Sequence, residues 1–355
     1  MLSCFIRKKI SPFIIDMDIE LDNSQIMVIL GQSGCGKTSF LNLITGFLTP
    51  DEGSIVNNKH IFYNHKINEP IHKRKIGYIQ QNSCLFPHMT VKENLCYSVN
   101  KRQQKGFEKK LEELIKYLDI ESNLKQYPHE LSGGQQQRVA IGRALMMQPE
   151  IILWDEPFSS LDYSIRQDLR ELVITIRDNY NIPMIFVTHD LREAYTLGDK
   201  IAIMKDGKII QQGDKNEVFK HPSNEEVAKI VGMTNVIKAE SIKNTSRCQV
   251  GDMKLSTLNR IKESKSIMIG IRPEDIVYVR EIHTSKDISN MNVSISTVLS
   301  MRHELDYYTL KVLSHEMNEV LEIILPKYVI DKYQIAEGKK IKIMLKYKEI
   351  TVLGV

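Results

Sequence analysis

Residues 31–38 read GQSGCGKT, and this run dictates its own surroundings: a strand before it, a glycine loop, and a helix opening after it. Gly31, Gly36, Lys37 and Thr38 hold the fixed places of a phosphate-cradling pattern; Gln32, Ser33, Gly34 and Cys35 fill the loop between them, and Ser39 follows. The apolar run at 25–30 suits a buried parallel strand. After the loop, Phe40, Leu41, Ile44 and Leu48 recur at helical spacing, predicting a helix from Lys37 to Leu48. Glycines let the backbone approach phosphates, so that successive N–H groups and the positive helix end meet negative charge. Lys37 reaches the outer phosphates and Thr38 offers its hydroxyl to Mg²⁺. The segment therefore implies a nucleoside-triphosphate site.

A second glycine element, Leu131-Ser132-Gly133-Gly134-Gln135, lies too far along the chain to belong to the first loop. Ser132 is a good helix N-cap, and Gly133 and Gly134 expose backbone donors at a positive helix end, which makes a separate anion site. The apolar segment 151–154 runs into two successive carboxylates, Asp155 and Glu156. Adjacent strand residues face opposite ways, but at a strand end the chain can turn both toward one site. His189 follows the apolar segment 183–187, so its imidazole would project from the carboxyl edge of the sheet.

Strand-like and helix-like segments alternate from 25 to 210, predicting an α/β fold with a parallel sheet flanked by helices. Phe107, Leu111, Leu114, Ile115 and Leu118 make one apolar helix face, and Asp206-Gly207 between two apolar runs predicts a tight hairpin. A polar helix near 214–231 leads to a junction at 232–235. Beyond it the period is strand-like, at 266–271, 292–299, 307–313, 320–325 and 340–347, which predicts a small β-barrel. A chain of 355 residues accommodates about two domains. No apolar stretch approaches the roughly 20 residues that span a bilayer. The net charge of +4 falls wholly after residue 234. That region lacks the basic stripe interleaved with aromatics that a nucleic-acid-binding barrel needs, so no nucleic-acid partner is expected. Five scattered cysteines fit a reducing compartment, and none is assigned to metal or disulfide.

Taken in order, GQSGCGKT, LSGGQ, Ile151–Glu156 and His189 resemble the motifs of ATP-binding cassette (ABC) ATPases. The resemblance covers residues 1–235. Residues 236–355, with Gly270-Ile-Arg-Pro-Glu-Asp-Ile276, resemble the OB-like, TOBE-type barrel appended to importer ATPases. It implies a P-loop nucleotide-binding domain at 1–235 with a helical subdomain at about 82–147, followed by a regulatory or dimerisation barrel. It also implies ATP with Mg²⁺. Asp155, Thr38 and Gln81 would hold the metal shell, Gln81 would also touch the catalytic water and sense the transmembrane partner, Glu156 would orient and deprotonate water, and His189 would face the γ-phosphate after a D-loop-like segment at 159–162. Gln81 is preferred to Gln80 because its flanks, Ile76-Gly-Tyr and Leu85-Phe-Pro-His, align with the family without a gap. Where the family stacks an aromatic ring on adenine this chain has Lys8, with Phe5 and Phe13 nearby, and no residue is assigned.

One chain carries one phosphate loop and one LSGGQ. The family pairs them head to tail, so the resemblance implies a homodimer, each ATP lying between Lys37 of one subunit and Ser132 of the other. It further implies an integral membrane permease, an extracytoplasmic substrate-binding protein and a place on the cytoplasmic face of the membrane. With Leu85–Leu95 and the N-terminal strand pair, the chain is most similar to molybdate importer ATPases; iron(III), sulfate, polyamine and sugar importers share much of the layout. A soluble, non-transport ABC ATPase fits less well, since the chain has neither an inserted coiled coil nor tandem cassettes.

Overall fold

A computed structural model of the chain describes residues 1–97, 106–159, 161–242, 245–257, 266–280 and 292–353. It divides into two compact units, Met1–Lys215 and Asn216–Val355.

The first unit is built on a ten-stranded sheet. Its strands and helices in chain order are β1 (Leu2–Ile10), β2 (Phe13–Leu21), β3 (Ile26–Leu30), α1 (Lys37–Thr45), β4 (Glu52–Asn57), β5 (His60–Tyr63), β6 (Ile76–Ile79), α2 (Val91–Cys96), α3 (Phe107–Tyr117), α4 (Gly133–Met146), β7 (Ile151–Asp155), α5 (Tyr163–Tyr180), β8 (Met184–Thr188), α6 (Leu191–Leu197), β9 (Lys200–Lys205) and β10 (Lys208–Asp214). The strand order is β5-β4-β1-β2-β10-β9-β3-β8-β7-β6. From β9 to β6 the strands are parallel, and β3 lies between β8 and β9, which explains its unbroken apolar sequence. The other half is largely antiparallel, so the sheet is mixed, not parallel throughout.

Helix α1 stops short of Leu48 because Gly46 takes φ 91°, and its N–H closes on Asn42 O at 3.1 Å. Arg74, fully buried, donates to the carbonyls of Leu43 at 3.3 Å and Ile44 at 2.6 Å, which satisfies acceptors that a helix end leaves bare. The β9–β10 hairpin turns on Asp206 at φ 45° and Gly207 at φ 82°, the left-handed pair that a two-residue turn requires. Helices α2, α3 and α4 lie between β6 and β7 in sequence. Phe107, Leu111, Leu114 and Ile115 form the buried face of α3, as their spacing predicts.

The second unit begins upstream of the predicted junction. In place of one polar helix there are two, α7 (Lys215–Lys220) and α8 (Glu225–Ile230), parted by His221-Pro222 because proline cannot continue the hydrogen-bond ladder. Ala228 of α8 packs with Met233 and Leu353. The guanidinium of Arg272 donates to Phe219 O at 3.0 Å and Val231 O at 2.6 Å, which ties both helices to this unit.

Among the described residues ten strands follow: β11 (Asn235–Ser241), β12 (Arg247–Val250), β13 (Met253–Ser256), β14 (Ile267–Ile271), β15 (Ile276–Tyr278), β16 (Asn292–Glu304), β17 (Tyr307–Ser314), β18 (Glu319–Pro326), β19 (Lys340–Leu345) and β20 (Thr351–Leu353), with α9 (Lys327–Tyr333) after β18. They form two five-stranded antiparallel sheets, β13-β12-β11-β14-β20 and β15-β19-β16-β17-β18, around one apolar core that includes Ile269, Val312, Ile323 and Ile343. The architecture is that of an OB-like domain. Among the described residues no helix is long and apolar enough to cross a membrane.

Candidate active site

The carboxyl edge of β3, β7 and β8 gathers the chemistry. Gly31 follows β3 where a Cβ would come within 2.4 Å of Met204 O, so only glycine fits against β9 there. Gly36 enters α1 at φ 108°. Lys37 is only 5% exposed; its Nζ donates to Gly31 O at 2.9 Å and Gln32 O at 3.1 Å and lies 3.5 Å from Glu156 Oε1. The Cys35 side chain is buried, and burial pushes its thiol pKa up against the pull of Lys37, so it is a neutral filler; only its backbone can meet a ligand.

Strand β7 ends at Asp155, and Glu156 then takes φ 45°, a left-handed conformation that non-glycine residues seldom adopt. This turn is how two successive carboxylates reach one site. Asp155 Oδ1 accepts from Thr38 Oγ1 at 3.0 Å, and Oδ2 from the Tyr78 hydroxyl at 3.0 Å. Glu156 Oε2 lies 3.2 Å from His189 Nδ1. Lys37, Thr38, Asp155, Glu156 and His189 thus form one connected group.

A hydroxyl beside a carboxylate oxygen is a hard-donor pair that suits Mg²⁺. Among the described residues no group of three or more His, Cys, Asp or Glu could hold a metal. A cation bound by one or two protein oxygens and completed by substrate phosphates fits this donor set.

The structure differs from the sequence expectation at two places. Gln81 is exposed beyond β6. Its neighbour Gln80 is half-buried beside Tyr78 and accepts from Cys84 Sγ at 2.7 Å, so Gln80 lies nearer than Gln81 to the group around Asp155. At LSGGQ, Ser132 caps α4 reciprocally with Gln135, at 3.3 Å to its N–H and 2.9 Å from its Oε1, as expected. Gly134, however, is buried: a Cβ there would come within 2.5 Å of Ile165 Cγ2, so its glycine serves close packing on α5, while Ser132 and Gly133 are exposed. Near the loop, Lys8 pairs with Asp51 at 2.6 Å, and Phe13 lies beside Gly36, its Cε2 3.1 Å from where a Cβ would be. Phe5 is exposed. Of the 159–162 segment, Ser160 lies outside the described residues.

Two side chains beside this group escaped the sequence reading. Tyr78 is one. The other is Glu193, 3% exposed, which accepts from Thr188 Oγ1 at 2.6 Å and lies 3.5 Å from Arg170; burial raises its pKa. Thr188 also accepts from Asp190 N at 3.0 Å, so the residues on either side of His189 are anchored to the first turn of α6. The HD-x-x-E spacing was the available signal. No hydrogen bond or ion pair among the described residues joins Ser132–Gln135 to the phosphate loop.

The family model described as ABC transporter matches residues 14–159. The Fe(3+) ions import ATP-binding protein FbpC 2 of Pectobacterium atrosepticum is 35% identical over 310 residues, 84% of this chain and 88% of that one. This chain belongs to the importer-type ABC transporter ATPases. Another relative, the molybdate/tungstate import ATP-binding protein WtpC of Pyrococcus horikoshii, is 37% identical over 273 residues, covering 76% of this ABC ATPase and 77% of the relative. The dimeric post-hydrolysis structure of the ATP-binding cassette MJ0796 bound to ADP and Pi superposes with TM-score 0.52 at 30% identity, over 60% of this chain and 98% of that one. The structure of cbiO1 from Clostridium perfringens, part of the transporter complex cbiONQ, gives 0.56 at 26% identity, over 66% and 94%. As a member of this family the ABC ATPase binds ATP with Mg²⁺ and hydrolyses it.

Proposed function

We propose that this ABC ATPase powers uptake of an inorganic ion, working as a head-to-tail homodimer beneath a membrane permease on the cytoplasmic face, with an extracytoplasmic binding protein delivering the cargo. The observation that carries the site assignment is Glu156, 3.5 Å from Lys37 and 3.2 Å from His189, next to the Asp155 that bonds Thr38. Lys37 and the amides of Gly31–Ser39 hold the phosphates. Thr38 and Asp155 hold Mg²⁺, which neutralises phosphate charge when bound. Glu156 accepts the proton of the attacking water, and His189 orients Glu156 and the terminal phosphate. Ser132–Gln135 of the second subunit would close each site, and the α2–α4 region, within about 82–147, would face the permease.

Gln80→Ala and Gln81→Ala separate two tasks. Gln81→Ala is expected to weaken stimulation of the ATPase by the permease, because an exposed side chain past β6 is free to meet a partner. Gln80→Ala is expected to raise the Mg²⁺ needed for half-maximal rate by about 10-fold through Tyr78 and Asp155. The reverse pattern would exchange their assignments.

For the cargo, molybdate is the reading supported by Leu85–Leu95 and by the Pyrococcus relative. Iron(III) is the second, favoured by the name of the Pectobacterium relative. Vesicles holding the ABC ATPase with its permease and binding protein should take up one labelled ion in an ATP-dependent manner. Uptake of neither, with ATP hydrolysis intact, would reject both.

A further inference from the structure

Tyr78 stands in β6, the outermost strand of the parallel half, between Gly77 and Ile79. Its ring is half-buried and tilted against Phe47 at 6.3 Å between centroids. A phenylalanine would fill that space equally well. What the hydroxyl adds is a bond of 3.0 Å to Asp155 Oδ2.

The carboxylate is thereby divided, one oxygen facing Thr38 and the other Tyr78. Without the second bond, Asp155 could rotate about its terminal torsion, which is broad and two-fold, and Thr38 would lose a fixed acceptor. On its other side the hydroxyl meets Gln80, whose Oε1 takes the Cys84 thiol. Ser83 and Cys84 both have left-handed backbones, at φ 53° and 44°, and Ser83 bonds Gln137 of α4 at 2.6 Å.

We propose that Tyr78 is a positioning residue of the magnesium site, its hydroxyl holding the Asp155 carboxylate in the orientation shared with Thr38. The inference rests on the reading of Thr38 and Asp155 as metal-shell residues. Groups that orient metal-shell carboxylates typically change metal affinity by about 10–100-fold.

The test uses full-length wild type and Tyr78→Phe with ADP, measuring Mn²⁺ binding by electron paramagnetic resonance and ADP binding in EDTA by fluorescence. Tyr78→Phe is expected to bind Mn²⁺ about 10-fold more weakly. Metal-free ADP affinity and the thermal midpoint should stay at wild-type values. 3-Fluorotyrosine at this position, which keeps the hydroxyl, should retain tight Mn²⁺ binding. Equal Mn²⁺ affinity in wild type and Tyr78→Phe overturns the proposal. So does a parallel loss of ADP binding in EDTA, which would mark a general disturbance of the pocket. If wild type itself binds ADP without recruiting Mn²⁺, the metal-shell reading fails first.

Discussion

Glu156→Gln is expected to lower ATP turnover by about 10²–10⁴-fold while leaving ATP binding intact. The amide cannot take the proton of the attacking water, yet it has nearly the shape of the carboxylate at a residue whose φ of 45° leaves little freedom. Lys37 would keep its bonds to Gly31 O and Gln32 O, and Thr38 its bond to Asp155. Loss of the charge 3.5 Å from Lys37 also removes a competitor for that ammonium, so ATP affinity should hold or rise. With hydrolysis blocked, the ATP-bound dimer should persist on size exclusion. Turnover within a few-fold of wild type would remove Glu156 from this role. Lys37→Ala provides the contrast: it should weaken binding itself, since the lysine meets phosphate in ground and transition states alike.

The parts of this site that the sequence made legible are those whose geometry is local. A glycine loop between strand and helix, a serine before two glycines and a glutamine, and two acids at the end of an apolar run each carry their own backbone requirement within a few residues. The links between them are not local. Tyr78 meets Asp155 across 77 positions, and its register in β6 gives no sign that its hydroxyl faces a carboxylate on β7. Gly134 looks like a bare-backbone position until Ile165 is seen against it. Gln80 and Gln81 are indistinguishable as residue types; the conformation of the loop that follows decides which one turns inward. The division at Lys215 was hidden for a related reason: α7 and α8 read as polar in sequence, and only the partners of Arg272, Ala228 and Met233 place them with the second unit.

The head-to-tail arrangement yields the second large expected effect. Ser132 and Gly133 are exposed at the start of α4, and among the described residues no hydrogen bond or ion pair ties this segment to the phosphate loop, which leaves it open to a second copy in the proposed dimer. Ser132→Arg would place a long cation at that helix start and remove the reciprocal cap with Gln135, a change worth about 1 kcal/mol of helix stability. Monomeric ATP affinity should therefore survive, while ATP-driven dimerisation and hydrolysis are lost. Mixing Ser132→Arg with Lys37→Ala distinguishes shared from self-contained sites. In a heterodimer the intact Lys37 of one subunit faces the intact Ser132 of the other, so one of two composite sites is whole, and activity should appear on mixing two inactive proteins. A self-contained site would instead leave Ser132→Arg active alone and unchanged by its partner. Full hydrolysis by Ser132→Arg alone would therefore remove the head-to-tail dimer from the proposed mechanism, and ATP would then have to drive the permease from a single subunit.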